Sequence, residues 1–133
     1  MLVYLHTLHM EAKPRAKSYQ RGDTVVVDVI VTRPDEEDPA GGGQPMPRVT
    51  EPEPAADVDV GISLFVGDNY AWDLGKTDAE GKEVLRIPTK KDFDAGWATG
   101  HGYADKLHYT NNGCPDVREV DYKTWPRFVR ITR

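Results

Sequence analysis

Aliphatic and polar residues alternate in two segments of the chain. Every second residue is aliphatic from Val25 to Val31 and again from Val58 to Val66, with polar residues such as Asp28 and Asp59 between them. Side chains of a strand point alternately to its two faces, so each segment is predicted to be a strand with one buried and one solvated face. An amphipathic helix would instead repeat its apolar residues at spacings of three and four.

Weaker apolar segments predict more strands, and turn sequences separate them. The segments surround Leu8 and Met10, residues 85–87, residues 98–109, and Val129 and Ile131. The turn sequences are residues 21–23, 67–69, 78–81 and 110–113. They contain the glycines and asparagines that tight turns require. About seven short strands with frequent turns predict an all-β protein, an immunoglobulin-like antiparallel β-sandwich.

Residues 34–56 differ in composition from the rest of the chain. They hold six prolines, a run of three glycines and the acidic run 35–38. Proline cannot donate to a strand ladder, and consecutive glycines leave the backbone unconstrained. Residues 1–33 supply at most two strands, too few to fold alone. We therefore predict one domain over residues 1–133 with a long flexible inter-strand loop at 34–56; a binding loop is the alternative interpretation.

Composition and charge argue against two classes of partner. The chain has 38% hydrophobic residues and a net charge of -5. Binding to nucleic acid is driven by the counterions that are released when basic residues contact the phosphates. This chain is acidic and has no stripe of basic residues interleaved with aromatic ones, so it gains no such energy. No run approaches the ~20 apolar residues of a spanning helix. Neither nucleic-acid binding nor membrane insertion is expected.

Two segments resemble a known family. Residues 19–25, Tyr-Gln-Arg-Gly-Asp-Thr-Val, form a turn followed by a strand, and residues 77–82, Thr-Asp-Ala-Glu-Gly-Lys, lead into a later apolar strand. Over about residues 17–110 the chain resembles bacterial immunoglobulin-like modules of surface and secreted proteins, and the related macroglobulin-type domains. The resemblance implies a stalk, spacer or adhesive unit that takes ligands on its loops. The proline-rich segment departs from a minimal module.

The integrin tripeptide occurs at Arg21-Gly22-Asp23. A functional tripeptide needs an exposed, protruding loop, whereas this one abuts a strong strand. Glycine followed by aspartate also suits a tight turn. A structural turn is the favoured interpretation.

The four histidines and the single cysteine are candidate metal ligands or nucleophiles. His6 and His9 are an odd number of positions apart, and so are His101 and His108. The two members of each pair are therefore expected on opposite faces of a strand. His6 lies among apolar residues and is predicted to be packed and hydrogen-bonded. Cys114 has no partner for an internal disulfide. It is interpreted as an incidental thiol, with pairing outside this chain as the alternative.

Acidic residues offer a weak candidate for a metal site. Asp92 and Asp94 alternate before Gly96, as ligands of a calcium loop do, but further acidic ligands are missing. Asp57 and Asp59 lie on one predicted strand face and are expected to be simply exposed. No metal or cofactor is expected.

Aromatic residues offer a candidate ligand site. Trp72, Trp97, Trp125 and the tyrosines are candidates for a sugar-stacking platform, and Trp72, Trp97 and Tyr103 are singled out among them. Two of the tryptophans neighbour glycine or proline in loops, where binding sites gather. Tryptophans of a small sandwich usually fill the core, and that alternative is favoured.

The motifs of familiar enzyme classes are missing from the sequence. There is no Gly-x-Ser-x-Gly elbow, phosphate loop or His-Glu-x-x-His motif. We expect a non-catalytic structural or binding module, for adhesion or spacing, of an extracellular or particle-surface protein. Its expected partner is a protein or a glycan. The alternatives are a carbohydrate-binding module accessory to an enzyme and, more weakly, a small metal-dependent enzyme. The opening segment lacks the features of a signal peptide, so an extracellular location would imply a larger or processed protein.

Overall fold

The computed structural model describes residues 4–34 and 53–133. Ten strands and no helix occur in these residues, so none of them forms a helix that could span a membrane. The strands are β1 (Tyr4–Thr7), β2 (His9–Pro14), β3 (Ser18–Gln20), β4 (Thr24–Arg33), β5 (Glu53–Pro54), β6 (Asp59–Val66), β7 (Asn69–Lys76), β8 (Lys82–Pro88), β9 (Gly96–Tyr109) and β10 (Pro115–Thr132). The prediction of an all-β protein is confirmed.

The strands form a six-stranded and a four-stranded sheet. The six-stranded sheet has the order β1-β10-β9-β6-β7, and β3 also pairs with β10. The four-stranded sheet has the order β2-β4-β5, and β8 also pairs with β4.

The six-stranded sheet is mixed, so the predicted purely antiparallel arrangement is wrong. Strands β1 and β3 both run parallel to β10. The reason lies in the N-terminal segment, which was predicted as a single strand. It pairs in the six-stranded sheet as β1, crosses to the four-stranded sheet as β2, and returns as β3. This division also explains why the structure has more strands than the seven predicted.

Both alternating segments form strands, and their aliphatic residues are buried. The valines of β4 at odd positions and the even-numbered residues of β6 are at most 3% exposed. Leu85 and Ile87 of β8 and Val129 and Ile131 of β10 join them in one hydrophobic cluster. The core therefore draws on both sheets.

The turn at residues 78–81 forms as predicted. The Asp78 carboxylate accepts hydrogen bonds from the backbone N–H groups of Glu80 and Lys82, both at 2.9 Å. Gly81 has a φ of 75°, and a Cβ there would lie 2.5 Å from the carbonyl oxygen of Val31. Only glycine fits a position with both constraints.

The predicted loop at 34–56 is shorter at its C-terminal end than expected. Glu53–Pro54 form β5 beside β4, and Ala55 is buried. The buried Thr77 hydroxyl donates to the Ala55 carbonyl at 2.7 Å and accepts from the Val58 N–H at 2.9 Å. Residues 35–52 lie outside the described residues.

Candidate functional site

Large apolar side chains are concentrated on the outward face of the six-stranded sheet. We call the set formed by Phe65, Tyr70, Trp72, Leu74, Trp97, Tyr103 and Tyr122 the aromatic face. Most of these side chains are strongly exposed; Trp72 is 55% and Tyr122 65% exposed. Exposed single apolar residues are ordinary, whereas a large contiguous patch marks a binding surface.

The aromatic face exists because small residues fill the inner side of the same strands. In β9 the inward positions are Ala98, Gly100, Gly102 and Ala104, and all are buried. Alternation along the strand then places Trp97 and Tyr103 outward. Strand β7 behaves in the same way, since Ala71 is buried while its neighbours Tyr70 and Trp72 are exposed.

Tyr103 lies near the centre of the aromatic face. Its β6 partner is Gly61 and its β10 partner is Tyr122. A Cβ at Gly61 would overlap the Tyr103 ring and approach the Leu74 side chain to 2.7 Å, so the missing side chain lets the ring lie across β6. Burial raises the pKa of the Tyr103 phenol, and the charges of Asp59 and Asp105 raise it further. The phenol therefore stays neutral and able to donate a hydrogen bond at physiological pH.

Phe65 connects its neighbours through ring contacts. Its ring centroid is 6.0 Å from that of Tyr70 in a stacked arrangement and 5.2 Å from that of His101 in an edge-on arrangement. Both are favourable geometries for aromatic pairs. The rings thus fix one another's positions and form a preorganised surface.

Charged residues lie around the aromatic face rather than within it. Lys76 is 3.7 Å from Asp57 and 3.8 Å from Asp59. At the far end of β9, the guanidinium of Arg127 lies 5.9 Å from the centre of the Trp97 ring. An apolar centre with a charged rim is the usual anatomy of a protein interface.

The outward face of the four-stranded sheet has the opposite character. Glu11, Lys13, Arg15 and Arg86 are exposed there, and Arg15 donates two hydrogen bonds of 3.1 Å to Asp28. The hydrogen bond from Arg15 lowers the pKa of the Asp28 carboxyl. Ile30, 39% exposed, is the one large exposed apolar side chain of this face among the described residues, so the aromatic face is the distinctive one.

The structure brings the predicted ligand-binding residues onto one sheet face. Trp72, Trp97 and Tyr103 all point outward, and the favoured interpretation of the tryptophans as core residues is wrong for Trp72 and Trp97. Trp125 alone packs partly buried against the core, over Gly102. Sequence reasoning did not single out Tyr70 and Tyr122 among the tyrosines, and it missed Phe65 and Leu74, although the alternation in β7 signals Tyr70 and Leu74.

Asp94, one of the two weak candidates for a calcium ligand, has a structural role. The Asp94 carboxylate accepts a hydrogen bond from the Asp68 N–H at 3.0 Å, and the Asp94 N–H donates to the Asn69 side chain at 2.8 Å. Asp94 therefore holds the β6–β7 turn, while Asp92 is exposed. Within residues 4–34 and 53–133, no group of three or more His, Cys, Asp or Glu side chains is placed to hold a metal ion.

A polar cluster links the two sheets beyond the core. Glu119 of β10, only 7% exposed, accepts hydrogen bonds from Arg33 at 2.7 and 3.0 Å and lies 2.5 Å from the His108 ring nitrogen. Burial by itself raises the pKa of the Glu119 carboxyl, but the hydrogen bonds and charges of Arg33 and His108 outweigh it, so the net pKa is lowered. Glu119 is thus held ionised as a bridge between sheets. His6, predicted to be packed, is exposed, because it lies on β1, an edge strand of the six-stranded sheet.

The Arg21-Gly22-Asp23 tripeptide forms the turn between β3 and β4. Gly22 has a φ of 91°, and the Asp23 carboxylate accepts a hydrogen bond of 3.2 Å from the Gln20 N–H. The side chain of Arg21 is partly buried. These contacts favour the structural interpretation.

Replacing Asp23 with alanine is expected to lower the free energy of unfolding by about 1 kcal/mol, because one turn-capping hydrogen bond is lost. Urea unfolding followed by tryptophan fluorescence measures the change. Asp92→Ala, at an exposed turn position, is the matched control and should change little. If integrin-dependent cell attachment falls while Asp23→Ala remains folded, the tripeptide is a recognition motif instead.

Comparison with known proteins identifies no family. No protein-family model matches the chain, and no curated protein shows a significant match to it. The structure shows an all-β protein with two sheets.

Proposed function

We propose that this chain is a non-catalytic adhesion module of an extracellular or particle-surface protein, and that it attaches to its partner through the aromatic face. The observation that carries the proposal is the concentration of exposed rings on one sheet face, opposite a charged face on the other sheet. Aromatic residues are enriched at interfaces because they combine large apolar area with few rotatable bonds.

The strand order supports the immunoglobulin-like part of the proposal. Strands β2, β4 and β8 lie in one sheet, and β10, β9, β6 and β7 follow one another in the second. This corresponds to the strands A, B and E facing G, F, C and C′ of an immunoglobulin-like sandwich. Strand β4 precedes residues 34–56 and pairs with β8, which follows them, and this supports one domain across the segment.

The two carboxyl groups of the described residues that have a shifted pKa are not candidates for a catalytic acid or base. The carboxyl groups with a lowered pKa, Asp28 and Glu119, are each hydrogen-bonded to an arginine. A catalytic acid or base needs a pKa near the working pH, and these contacts move the pKa away from it.

Carbohydrate binding is the second candidate. Ser63, His101 and Thr124 lie among the rings, because Ser63 and Thr124 both pair with His101 across the sheet. Stacking surfaces beside hydrogen-bonding side chains suit a sugar, which presents both apolar faces and hydroxyl groups. This arrangement keeps a glycan partner in consideration.

Beads coated with the chain are expected to adhere either to a surface coated with the same chain or to a glycan array. Adhesion should fall at least about tenfold in the double variant Trp72→Ser and Tyr122→Ser, since truncating aromatic anchors removes most interface energy. Thermal unfolding should change little, because both side chains are exposed. The matched control is Lys82→Ser with Arg86→Ser on the charged face. Adhesion to neither surface, or adhesion unaffected by the aromatic substitutions, would contradict the proposal.

A further inference from the structure

We infer that the free edge of β7 pairs with β7 of a second copy of this chain, antiparallel and around a two-fold axis that stands perpendicular to the six-stranded sheet at that edge. The two six-stranded sheets then continue into one another, with both aromatic faces on the same side. The inference goes beyond the proposed function, because backbone groups of a sheet edge carry it.

The backbone of β7 directs every second N–H group away from the sheet. Among the described strands, β7 pairs only with β6, so it is an edge strand. The Thr77 N–H donates toward β6, to the Val58 carbonyl, whereas the Lys76 N–H points the other way, to Glu83. Successive residues of a strand direct their N–H and C=O groups to opposite sides. The remaining even-numbered residues of β7 therefore share the outward orientation; they are Tyr70, Trp72 and Leu74.

These three outward N–H groups are free, and the N–H groups beyond them are used within the chain. The Asp68 N–H donates to the Asp94 carboxylate at 3.0 Å. The Lys76 N–H donates to the Glu83 carboxylate, also at 3.0 Å. Among the described residues, none accepts a hydrogen bond from the three N–H groups in between. The free segment of the edge is thus centred on Trp72.

The edges of the four-stranded sheet are closed by comparison. On β8, carboxylates accept hydrogen bonds of 2.7 to 2.9 Å from the outward N–H groups of Lys82, Val84 and Arg86. The next outward residue, Pro88, has no N–H. On β2, Met10 donates to Asp121 and Pro14 has no N–H. An edge with unpaired N–H and C=O groups is a template for a further strand, and β7 is the long edge strand that keeps them.

Space for a further strand lies beside this edge. A hollow of about 490 Å³ borders Tyr70 and Trp72, and Pro88, Lys90 and Phe93 also line it. An added strand would lie about 4.8 Å from β7 and direct alternate side chains to the two sides of the sheet. The hollow can receive side chains that such a strand directs inward.

One register uses every free group of both copies. With Trp72 opposite Trp72 of the second copy, Tyr70 lies opposite Leu74, and the N–H groups of each opposed pair donate to the partner's carbonyls. The nearest other registers with the same parity place Leu74 opposite Asp68 or Tyr70 opposite Lys76. In those registers a free residue faces one whose N–H is already used.

The same register suits the side chains. On the outer side it opposes Trp72 to its copy and Tyr70 to Leu74, which are 54% to 65% exposed in the single chain. Apolar pairs across neighbouring strands stabilise a sheet. On the inner side Asp73 lies opposite Ala71, whereas one of the nearest registers opposes the two Asp73 carboxylates. A strand of another protein would use the N–H groups, but a copy also brings these apolar pairs without opposing like charges, and it therefore fits more of the observations.

Disulfide cross-linking tests the register. In a Cys114→Ser background, Trp72→Cys should give a covalent dimer under mild oxidation, since the Cα atoms of an opposed pair lie ~5.5 Å apart, within the range of a disulfide. Tyr70→Cys alone and Leu74→Cys alone should stay unlinked, because identical residues of the two copies then lie about 13 Å apart along the strands. Mixed together, these two variants should link to each other. Glu11→Cys, exposed on β2, is the matched control and should not link. Non-reducing electrophoresis and intact mass give the products.

Sedimentation equilibrium tests the role of the backbone. At about 100 µM, above a micromolar Kd, the wild-type mass should approach twice the 14.9 kDa of one chain. Leu74→Pro and Leu74→Ser both remove the side chain, but only proline also removes the N–H, and an edge strand tolerates proline on its free side. Leu74→Pro should therefore weaken self-association at least about tenfold more than Leu74→Ser, since the hydrogen bond is lost in both copies. Circular dichroism checks that both variants are folded.

A wild-type chain that stays monomeric, or a thiol at position 72 that links no better than one at position 11, would overturn the inference. Self-linking of Tyr70→Cys without linking to Leu74→Cys would overturn the register. The proposed function is judged separately. If the chain is monomeric while adhesion of coated beads still depends on Tyr122, the proposed function stands and only the edge dimer is wrong. If the chain dimerises through β7 while the beads fail to adhere, the dimer stands and the proposed function is wrong.

Discussion

Replacing Leu64 with alanine is expected to lower the free energy of unfolding by about 3–5 kcal/mol, near the upper end for such a truncation. Leu64 is fully buried in β6. Its cross-strand neighbours are Ala71 and Gly100, and neither has a side chain long enough to fill the space left behind. Since the cost of a large-to-small substitution grows with the cavity that remains, this position should be among the most sensitive in the chain.

Leu74→Ala is the matched control, because it removes the same atoms from the outward face. Leu74 is 54% exposed, so its truncation should cost less than about 1 kcal/mol. Urea denaturation of both variants, followed by circular dichroism, gives the comparison. Equal effects at the two positions would mean that the aromatic face is packed against something in the isolated chain, contrary to the arrangement described above.

Replacing Glu119 with glutamine is expected to cost about 2 kcal/mol at neutral pH, because the charge that binds Arg33 and His108 is lost in a nearly buried position. The cost stays below that of a fully buried pair, since Arg33 and His108 are 30% and 38% exposed and can regain water. Acid should remove the difference between the variant and the wild type. The pKa of Glu119 is lower in the folded chain than in the unfolded chain, so its contribution is present above about pH 4.3 and is lost as the pH falls through the folded pKa.

Unfolding by urea at several pH values between about 3 and 8 measures this dependence. Glu11→Gln is the control, because Glu11 also pairs with a histidine, His9 at 3.2 Å, but at an exposed site. It should have little effect at any pH, as exposed ion pairs contribute little. A difference between Glu119→Gln and the wild type that persists undiminished at pH 3 would show that the charge of Glu119 is not what stabilises the cluster.

The residues of the aromatic face could be predicted only in part from the sequence. Sequence patterns identified Trp72, Trp97 and Tyr103 as candidates but favoured the core for the tryptophans. That preference treats size as a guide to burial, and here it fails because β7 and β9 use alanine and glycine on their inner side. Once the parity of Ala98, Gly100 and Gly102 is known, the outward position of Trp97 and Tyr103 follows from strand geometry.

Local chemistry by itself determined the strands of the core and the turns between them. The alternation in β4 and β6 and the glycine of the turn at 81 act through neighbouring residues, so the sequence alone is sufficient to predict them. The tertiary structure decided what depends on partners distant in the chain: the division of the N-terminal segment between two sheets, the bridge from Arg33 to Glu119, and the row that joins Leu74, Tyr103 and Tyr122. Strand pairing sets which side chains become neighbours, and no local pattern contains that information. The aromatic face is therefore a property of the register of β7, β6, β9 and β10, although each of its residues is visible in the sequence.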